Sequence, residues 1–154
     1  MKHKEHKLYE NVLRSELLPA LGCTEPGAVG YAAAKAAEVL GTFPEHIDMY
    51  CSGNIIKNVK SVNVPNSNGM KGIEAAAVLG LLGGDPDNAL EIFKNADEEK
   101  IAKTKALIEN GFCKVLLEEN EGNLYIHAIA YNGNDKADVI IKNTHTNIIY
   151  ISKN

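Results

Sequence analysis

Two alanine-rich stretches constrain the fold of this chain more than any other feature. Stretch 26–40 contains Ala28, Ala32, Ala33, Ala34, Ala36 and Ala37, and stretch 72–82 contains Ala75, Ala76 and Ala77. Alanine is the best helix former, and small side chains on most faces of a helix let a neighbouring backbone approach closely. The sequence therefore predicts two helices here. The first is central and buried, with Gly41 as its C-cap.

The hydrophobic pattern changes from helical spacing to alternation after Gly111. Helical spacing also predicts helices at 8–20, 88–94 and 98–110, whereas alternation predicts strands at 46–51, 113–118, 124–131, 137–142 and 148–152. Stretches 120–123 and 132–135 have the composition of hairpin turns, and the second contains Asn–Gly. We therefore predict a single α+β domain over 1–154. In this two-layer fold, alanine-rich helices pack on one face of a mostly antiparallel sheet whose last four strands form a meander.

Cys51 and His127 are of residue types that often function in catalytic or metal sites, but their positions in predicted strands indicate structural roles. Alternation in 46–51 places Cys51 on the core side of its strand. His127 lies inside another predicted strand, where a hydrogen-bonded structural histidine is expected. We therefore assign neither residue to a functional site.

The segment Cys23–Thr24–Glu25–Pro26 brings a thiol, a hydroxyl and a carboxylate to the predicted start of the first alanine-rich helix. Thr24 or Cys23 suits the N-cap, and Pro26 suits the first turn. The positive end of a helix favours the Glu25 carboxylate and a Cys23 thiolate. Such a thiolate could be a nucleophile, a base or a metal ligand. The alternative is a capped helix start with a small buried thiol.

Two polar stretches lie where predicted strands end. Ser52–Gly53–Asn54–Ile55–Ile56–Lys57–Asn58 follows the first strand as a loop, which is where ligand-binding loops lie in α/β structures. In it, Lys57 could neutralise a substrate carboxylate. Ordinary turn chemistry is the alternative interpretation. His145–Thr146–Asn147 is a polar turn between the last two strands, and it is either a binding turn or a plain connection.

Composition and charge exclude several classes of function. A net charge of -4 argues against nucleic acid or an anionic membrane as a partner. No apolar run is long enough to span a bilayer, and no secretory signal is visible. The three scattered cysteines indicate a reducing, cytoplasmic setting. The sequence contains no CxxC motif and no cysteine–histidine pair at metal-ligand spacing, so this chain alone does not encode a closed metal site.

Four segments together resemble a known family. They are 20–26 (Ala-Leu-Gly-Cys-Thr-Glu-Pro), 52–58 (Ser-Gly-Asn-Ile-Ile-Lys-Asn), 75–85 with its Gly–Gly–Asp ending, and 145–148 (His-Thr-Asn-Ile). In this order they resemble the N-terminal part of the L-cysteine desulfidase family, which is related to the iron–sulfur L-serine dehydratases. The resemblance covers nearly the whole chain, and Leu-Gly-Cys-Thr-Glu-Pro is its specific motif. One departure is 64–69 (Val-Pro-Asn-Ser-Asn-Gly), where the family has Val/Ile-Pro-Gly-Thr-Gly.

The resemblance implies a lyase that converts L-cysteine into pyruvate, ammonia and sulfide with an oxygen-sensitive [4Fe–4S] cluster; the related dehydratases act on L-serine. It implies that Cys23 is the catalytic base or a cluster-proximal thiolate. Substrate-binding roles are implied for Thr24, Glu25, Ser52, Asn54, Lys57, Asn58, His145, Thr146 and Asn147. Members of the family continue into a larger helical domain with the other cluster cysteines, whose positions Cys51 and Cys113 do not match. We therefore expect no cluster stably bound to this chain alone.

Several hypotheses on its role remain open at this point. The chain is part of a longer lyase, the partner of a separate subunit that carries the cluster cysteines, or a stand-alone relative without catalysis. A domain of this kind could also be a non-catalytic, amino-acid-binding regulatory module. A third hypothesis is an assembly domain whose small-residue helices pack on a partner, and a homo-oligomer is compatible with each of these.

Overall fold

The computed structural model describes residues 24–154. Its helices are α1 (Thr24–Leu40), α2 (Gly53–Lys60), α3 (Ile73–Gly83) and α4 (Glu98–Glu109), with a short 3₁₀ helix at Pro86–Glu91. Its strands are β1 (His46–Cys51), β2 (Cys113–Leu117), β3 (Tyr125–Asn132), β4 (Asp135–Lys142) and β5 (Ile148–Lys153). The predicted helix at 8–20 and Cys23 lie outside the described residues.

The strands form one sheet in the order β2-β1-β3-β4-β5. β1 and β2 are parallel, and every other neighbouring pair is antiparallel. The predicted α+β fold with a mostly antiparallel sheet is confirmed. Asn132 pairs with Asp135, so Gly133 and Asn134 form the two-residue hairpin turn that Asn–Gly predicts.

The prediction of a four-strand meander is wrong at β2. β1 lies between β2 and β3, so 120–123 is not a hairpin turn but a link that passes the end of β1. The backbone N–H of Ser52, directly after β1, donates to the Tyr125 carbonyl at 3.0 Å. Ile47 and Met49 of β1 are completely buried, and a central strand has both of its edges paired. The alternation pattern predicts the strands but not which strands are neighbours.

One face of the sheet is covered by helices, with α1 on β3 and β4 and α3 on β2. The inward residues of β3, Ile126, Ala128 and Ala130, have no exposed surface. On the opposite face His127 is half-buried, and its Nε2 lies 2.8 Å from Asp138 Oδ2. The prediction that His127 is a hydrogen-bonded structural histidine is confirmed.

Helix α1 is the central, buried helix that its alanines predict. Its buried residues are Pro26, Gly27, Ala28, Val29, Gly30, Ala32, Ala33, Ala34, Ala36 and Leu40. Gly41 follows with a φ of 88°, and its N–H donates to the Ala37 carbonyl at 3.0 Å, as a C-cap requires. Across residues 24–154, no helix is both long enough and apolar enough to cross a membrane, α1 included.

Helices α1 and α3 contact each other backbone to backbone at Gly30 and Gly80. A Cβ atom added to Gly80 would lie 2.5 Å from the Cα and 2.8 Å from the carbonyl oxygen of Gly30. No side chain fits between the helices at this point. The small residues that the sequence places in both helices therefore permit this close approach.

The stretch 52–58, predicted as a loop, folds instead as the start of α2. Ile55 and Val59 are one helical turn apart, and both are buried. Burial of this apolar pair overrides the turn propensity of Ser–Gly–Asn. Ser52 alone stays outside the helix, at its N-cap.

The predicted helix at 88–94 is also wrong. The chain forms a 3₁₀ helix at Pro86–Glu91 with a kink at Ala89, whose φ is 48°. The Leu90 carbonyl lies so close to α1 that a Cβ atom on Gly27 would be 2.9 Å from its oxygen. Close packing against α1, which the local pattern does not encode, replaces the regular helix.

We predict that Gly80→Ala lowers the free energy of unfolding by about 2 kcal/mol or more, measured by urea denaturation. The overlap with Gly30 outweighs the gain of about 1 kcal/mol from the helix propensity of alanine. Gly122→Ala is the matched control, because a Cβ atom there meets nothing within 4 Å. Equal free energies of unfolding for the two variants would show that α1 and α3 can move apart without loss of stability.

Cys51 and Cys113 are free thiols in the core. Burial raises the pKa of Cys51 from 9.0 to about 12 and also raises the pKa of Cys113. Both thiols therefore stay protonated near neutral pH, and the assignment of Cys51 to the core side of its strand is confirmed.

We predict that stability falls as the pH rises above about 9. Below that pH the folded and unfolded chains both keep the two thiol protons. Above it only the unfolded chain loses them, until the folded thiols also ionise. The free energy of unfolding should drop by about 1.4 kcal/mol per thiol between about pH 8 and pH 10. Urea denaturation of a Cys51→Ala, Cys113→Ala variant should show a shallower decline, and an unchanged decline would refute this role.

Candidate functional site

Most of the predicted site residues lie at one edge of the sheet. β1 and β4 end at this edge, and β3 and β5 begin there, as the pairs Cys51–Ile126 and Tyr125–Lys142 show. Ser52 follows β1, and the turn 143–147 joins β4 to β5. The first residues of α1 lie against that turn. The fold thus brings together segments that are about 90 to 120 residues apart in the sequence.

The contact that defines the site joins His145 to Glu25. His145 Nε2 lies 3.9 Å from Glu25 Oε1, and the two side chains are 17% and 20% exposed. This nitrogen is buried and has no hydrogen-bond partner within the described residues. Since burying a polar atom without a partner costs free energy, the nitrogen is suited to bind a ligand atom. Thr24, half-buried, starts α1 beside Glu25.

The turn after β4 holds His145 in place through its own hydrogen bonds. The Asn147 side-chain amide donates to the Lys142 carbonyl at 2.9 Å. The Asn147 backbone N–H donates to the Thr144 carbonyl at 3.1 Å. Asn147 therefore closes the turn, while Thr146 beside it is half-buried. In this structure, the role of Asn147 is to fix the loop that carries His145.

Ser52 occupies the N-cap position of α2 without capping the helix. Its hydroxyl donates to the Asn123 carbonyl at 3.0 Å, and its side chain makes no cap hydrogen bond. The first turn of α2 contains no acidic residue. An N-terminus with this arrangement favours an anionic group such as a carboxylate.

The other predicted residues of this segment lie along one face of α2. Asn54 and Asn58 are four residues apart and Lys57 lies between them, so the three share a face of the helix. Asn54 and Lys57 are exposed, and Asn58 is half-buried. This face is separate from the one that Ile55 and Val59 bury.

Two helix N-termini therefore lie at the same edge of the sheet. α1 begins beside the turn after β4, and α2 begins where β1 ends. Only β3 separates these two strands, so the ends of the two strands are about 10 Å apart along the edge. A small zwitterion with a carboxylate at one end fits this spacing, because both ends of the site offer polar partners.

One charged pair at this edge was missed by the sequence analysis. Lys142 Nζ lies 2.8 Å from Glu121 Oε2, and the side chains are 34% and 27% exposed. Glu121 belongs to the link 120–123, which the sequence predicts as a hairpin turn. Because that link passes the end of β1, it brings Glu121 to the site edge; the turn chemistry of the sequence alone gave no such signal.

The loop that departs from the family pattern is tightly bonded. Ser67, which is buried, donates to the Val64 carbonyl at 2.6 Å and accepts from the Met70 N–H at 2.9 Å. The Asn66 side chain donates to the Phe93 carbonyl at 3.0 Å. The polar residues of 64–69 thus serve the structure of the loop itself.

The described residues do not fit a resident iron–sulfur cluster. Among residues 24–154, no three histidine, cysteine or acidic side chains are grouped so that they could hold a metal ion. A [4Fe–4S] cluster takes several thiolate ligands, whereas Cys51 and Cys113 are protonated in the core. Cys23, which lies outside the described residues, is the third cysteine of the chain.

Comparison with known proteins finds relatives under one name. The chain is similar to a UPF0597 protein of Finegoldia magna, with 50% identity over 149 residues, which is 96% of this chain and 36% of that protein. It is also similar to UPF0597 proteins of Lachnoclostridium phytofermentans (45% identity, 96% of this chain and 36% of that protein) and Treponema denticola (41% identity, 97% and 35%). No family model matches the sequence, and no solved structure matches it significantly.

The chain spans about a third of the length of these curated relatives. Their names state no activity, substrate or cofactor. The relatives therefore extend well beyond the part that corresponds to this chain. An activity that depends on the rest of their sequence can only be proposed for this chain.

Proposed function

We propose that this chain is the N-terminal, substrate-side part of an iron–sulfur-dependent L-cysteine desulfidase or L-serine dehydratase-like lyase, and that it is inactive alone. The observation that carries the proposal is the buried Nε2 atom of His145, which has no hydrogen-bond partner within residues 24–154 and lies beside Glu25 at the start of α1. Cys23 directly precedes this helix in the sequence. Glu25, which belongs to the motif that resembles the lyase family, thus lies beside the turn that also resembles it.

The substrate would bind between the two helix starts. Its carboxylate would lie at the N-terminus of α2, which carries no acidic residue. Lys57, on the exposed face of the same helix, would add positive charge. His145 Nε2 would form a hydrogen bond with the other end of the amino acid, as donor or as acceptor. Glu25 would favour a positively charged amine at that end.

Cys23 would be the base that removes the proton from the α-carbon of the substrate. Removal of the α-proton needs a base within hydrogen-bond reach of that carbon, and the positive end of α1 favours a thiolate directly before it. Loss of the α-proton and of the substrate's thiol from the β-carbon leaves an enamine. Hydrolysis of the corresponding imine gives pyruvate and ammonia. A cluster in the complete enzyme would need ligands from outside this chain, with Cys23 at most a neighbouring thiolate, and a cytoplasmic location would keep that thiol reduced.

A second candidate function is a non-catalytic module that binds an amino acid and regulates a larger enzyme. The observation in its favour is that Ser52, Glu25 and His145 place polar groups for an amino acid at one edge of the sheet, and binding there requires no cluster. The two functions share the binding site and differ in turnover. An amino acid, L-cysteine or L-serine, binds in both cases, but only the complete lyase turns it over to pyruvate and ammonia, with release of sulfide from L-cysteine or water from L-serine.

We predict that this chain binds L-cysteine or L-serine saturably in anaerobic titration calorimetry and that His145→Ala weakens binding about tenfold or more. A hydrogen bond to a charged group contributes about 1.5–3 kcal/mol. His127→Ala is the matched control, because His127 lies on the outer face of the sheet with Asp138 as its partner. It should leave the dissociation constant within about twofold of the native value.

Two results would count against the proposed site. If the folded chain binds neither L-cysteine nor L-serine, this edge of the sheet is the binding site of neither a lyase nor a regulatory module. Equal loss of affinity in the two histidine variants would show that the effect comes from general destabilisation, and His145 would then have no particular role in binding.

A further inference from the structure

The β2–β3 connection, residues 118–124, is fastened to the end of β1 at both of its ends. At its start, the backbone N–H of Glu118 donates to the Cys51 carbonyl at 2.9 Å. Near its end, the hydroxyl of the buried Ser52 donates to the Asn123 carbonyl at 3.0 Å. Because Ser52 is also the N-cap residue of α2, the β2–β3 connection and the start of that helix share one anchor.

The middle of the β2–β3 connection reaches across the start of β3. Glu121 Oε2 lies 2.8 Å from Lys142 Nζ, and Lys142 is the last residue of β4. In the sheet, β3 lies between β1 and β4. The connection therefore joins the end of β1, where α2 begins, to the end of β4, where the turn 143–147 begins.

Lys142 also anchors the turn that carries His145. Its backbone N–H donates to the Asn147 carbonyl at 3.1 Å, and its carbonyl accepts from the Asn147 side-chain amide at 2.9 Å. One residue thus holds the β2–β3 connection through its side chain and the turn 143–147 through its backbone. A continuous path of contacts runs from the start of α2, through Glu121 and Lys142, to the turn beside Glu25.

The β2–β3 connection lies against the sheet at this point. Tyr125, the first residue of β3, pairs with Lys142 and is 8% exposed, although alternation with the inward Ile126 places it on the face without helices. Burial raises the pKa of its phenol, and the Glu121 and Glu118 carboxylates raise this pKa further. The glutamate side chains of the connection are therefore close to Tyr125, and water screens the pair of Glu121 and Lys142 less than a fully exposed pair.

We propose that Glu121 and Lys142 are positioning residues that hold the two ends of the amino-acid site at a fixed separation. Their ion pair sets the start of α2 relative to the turn of His145. A site that is already held in its bound geometry loses less entropy when a ligand contacts both ends. The inference rests on the proposed function, and it assigns the pair no contact with the substrate.

Hydrogen exchange of the free chain tests the path of contacts without a ligand. Glu121→Ala should speed amide exchange about threefold or more in both 118–124 and 143–147, because both segments lose a common anchor. Glu119→Ala is the matched control, since Glu119 is an exposed carboxylate of the same connection, and it should leave both segments unchanged. Faster exchange in 118–124 alone, or the same effect in both variants, would overturn the proposal.

Titration calorimetry tests the role of the pair in binding. Glu121→Ala should weaken the binding of L-cysteine or L-serine about threefold or more, whereas Glu119→Ala should not. The charge-reversed variant Glu121→Lys, Lys142→Glu should restore the affinity to within about twofold of the native value, which a general loss of stability would not allow. Unchanged affinity in Glu121→Ala, or no recovery in a folded charge-reversed variant, would overturn the positioning role.

Failure of this inference and failure of the proposed function give different results. If the native chain bound neither amino acid, the proposed function would fail, and Glu121 and Lys142 would have no role in binding. If the native chain and Glu121→Ala bound an amino acid with equal affinity, the proposed function would stand and the positioning role alone would fail.

Discussion

The close contact of α1 with α3 at Gly30 and Gly80 is the constraint on which the rest of the structure depends. It fixes the distance between α1 and α3, because no side chain separates the two backbones. Gly30 is less than two helical turns from Glu25, so the same contact sets the start of α1 against the turn that carries His145. Core packing and the geometry of the site are therefore parts of one arrangement, and a change of one methyl group at Gly80 should affect both.

The site itself follows from the ends of the elements rather than from their interiors. Two helices begin at one edge of the sheet, and the fold adds the buried Nε2 atom of His145, the Glu25 carboxylate and, at the α2 N-cap, the hydroxyl of the buried Ser52. Dipoles of this kind are permanent and cost no reorganisation when an anionic group binds. What the described residues lack is a group of cluster ligands. Under the proposed function, this edge would hold the amino acid, and the chemistry on sulfur would need cluster ligands from further sequence.

The sequence predicts most helices and strands because burial imposes their periods, and it predicts α1 well because alanines leave few alternatives. It fails where tertiary contacts decide. Ser–Gly–Asn is turn chemistry, yet the buried pair Ile55 and Val59 makes it a helix start. An alternation pattern does not encode the position of β1 between β2 and β3. It therefore does not predict that Glu121 lies at the site either. On sequence alone the turn at His145 is a plain connection or a binding turn. Its buried Nε2 atom, which has no hydrogen-bond partner among the described residues and lies 3.9 Å from Glu25 Oε1, favours the second.

Sulfide release from L-cysteine by the complete enzyme tests the central claim most directly. The protein that contains this sequence together with the part bearing the cluster cysteines would be reconstituted anaerobically with iron and sulfide, and visible absorption would verify the cluster. The account predicts sulfide release by the native protein and its loss, by about a hundredfold or more, in Cys23→Ser, with Cys51→Ala still active as the matched thiol control. Near-native release by Cys23→Ser would contradict it, and so would a native protein that holds its cluster but forms no pyruvate from either L-cysteine or L-serine.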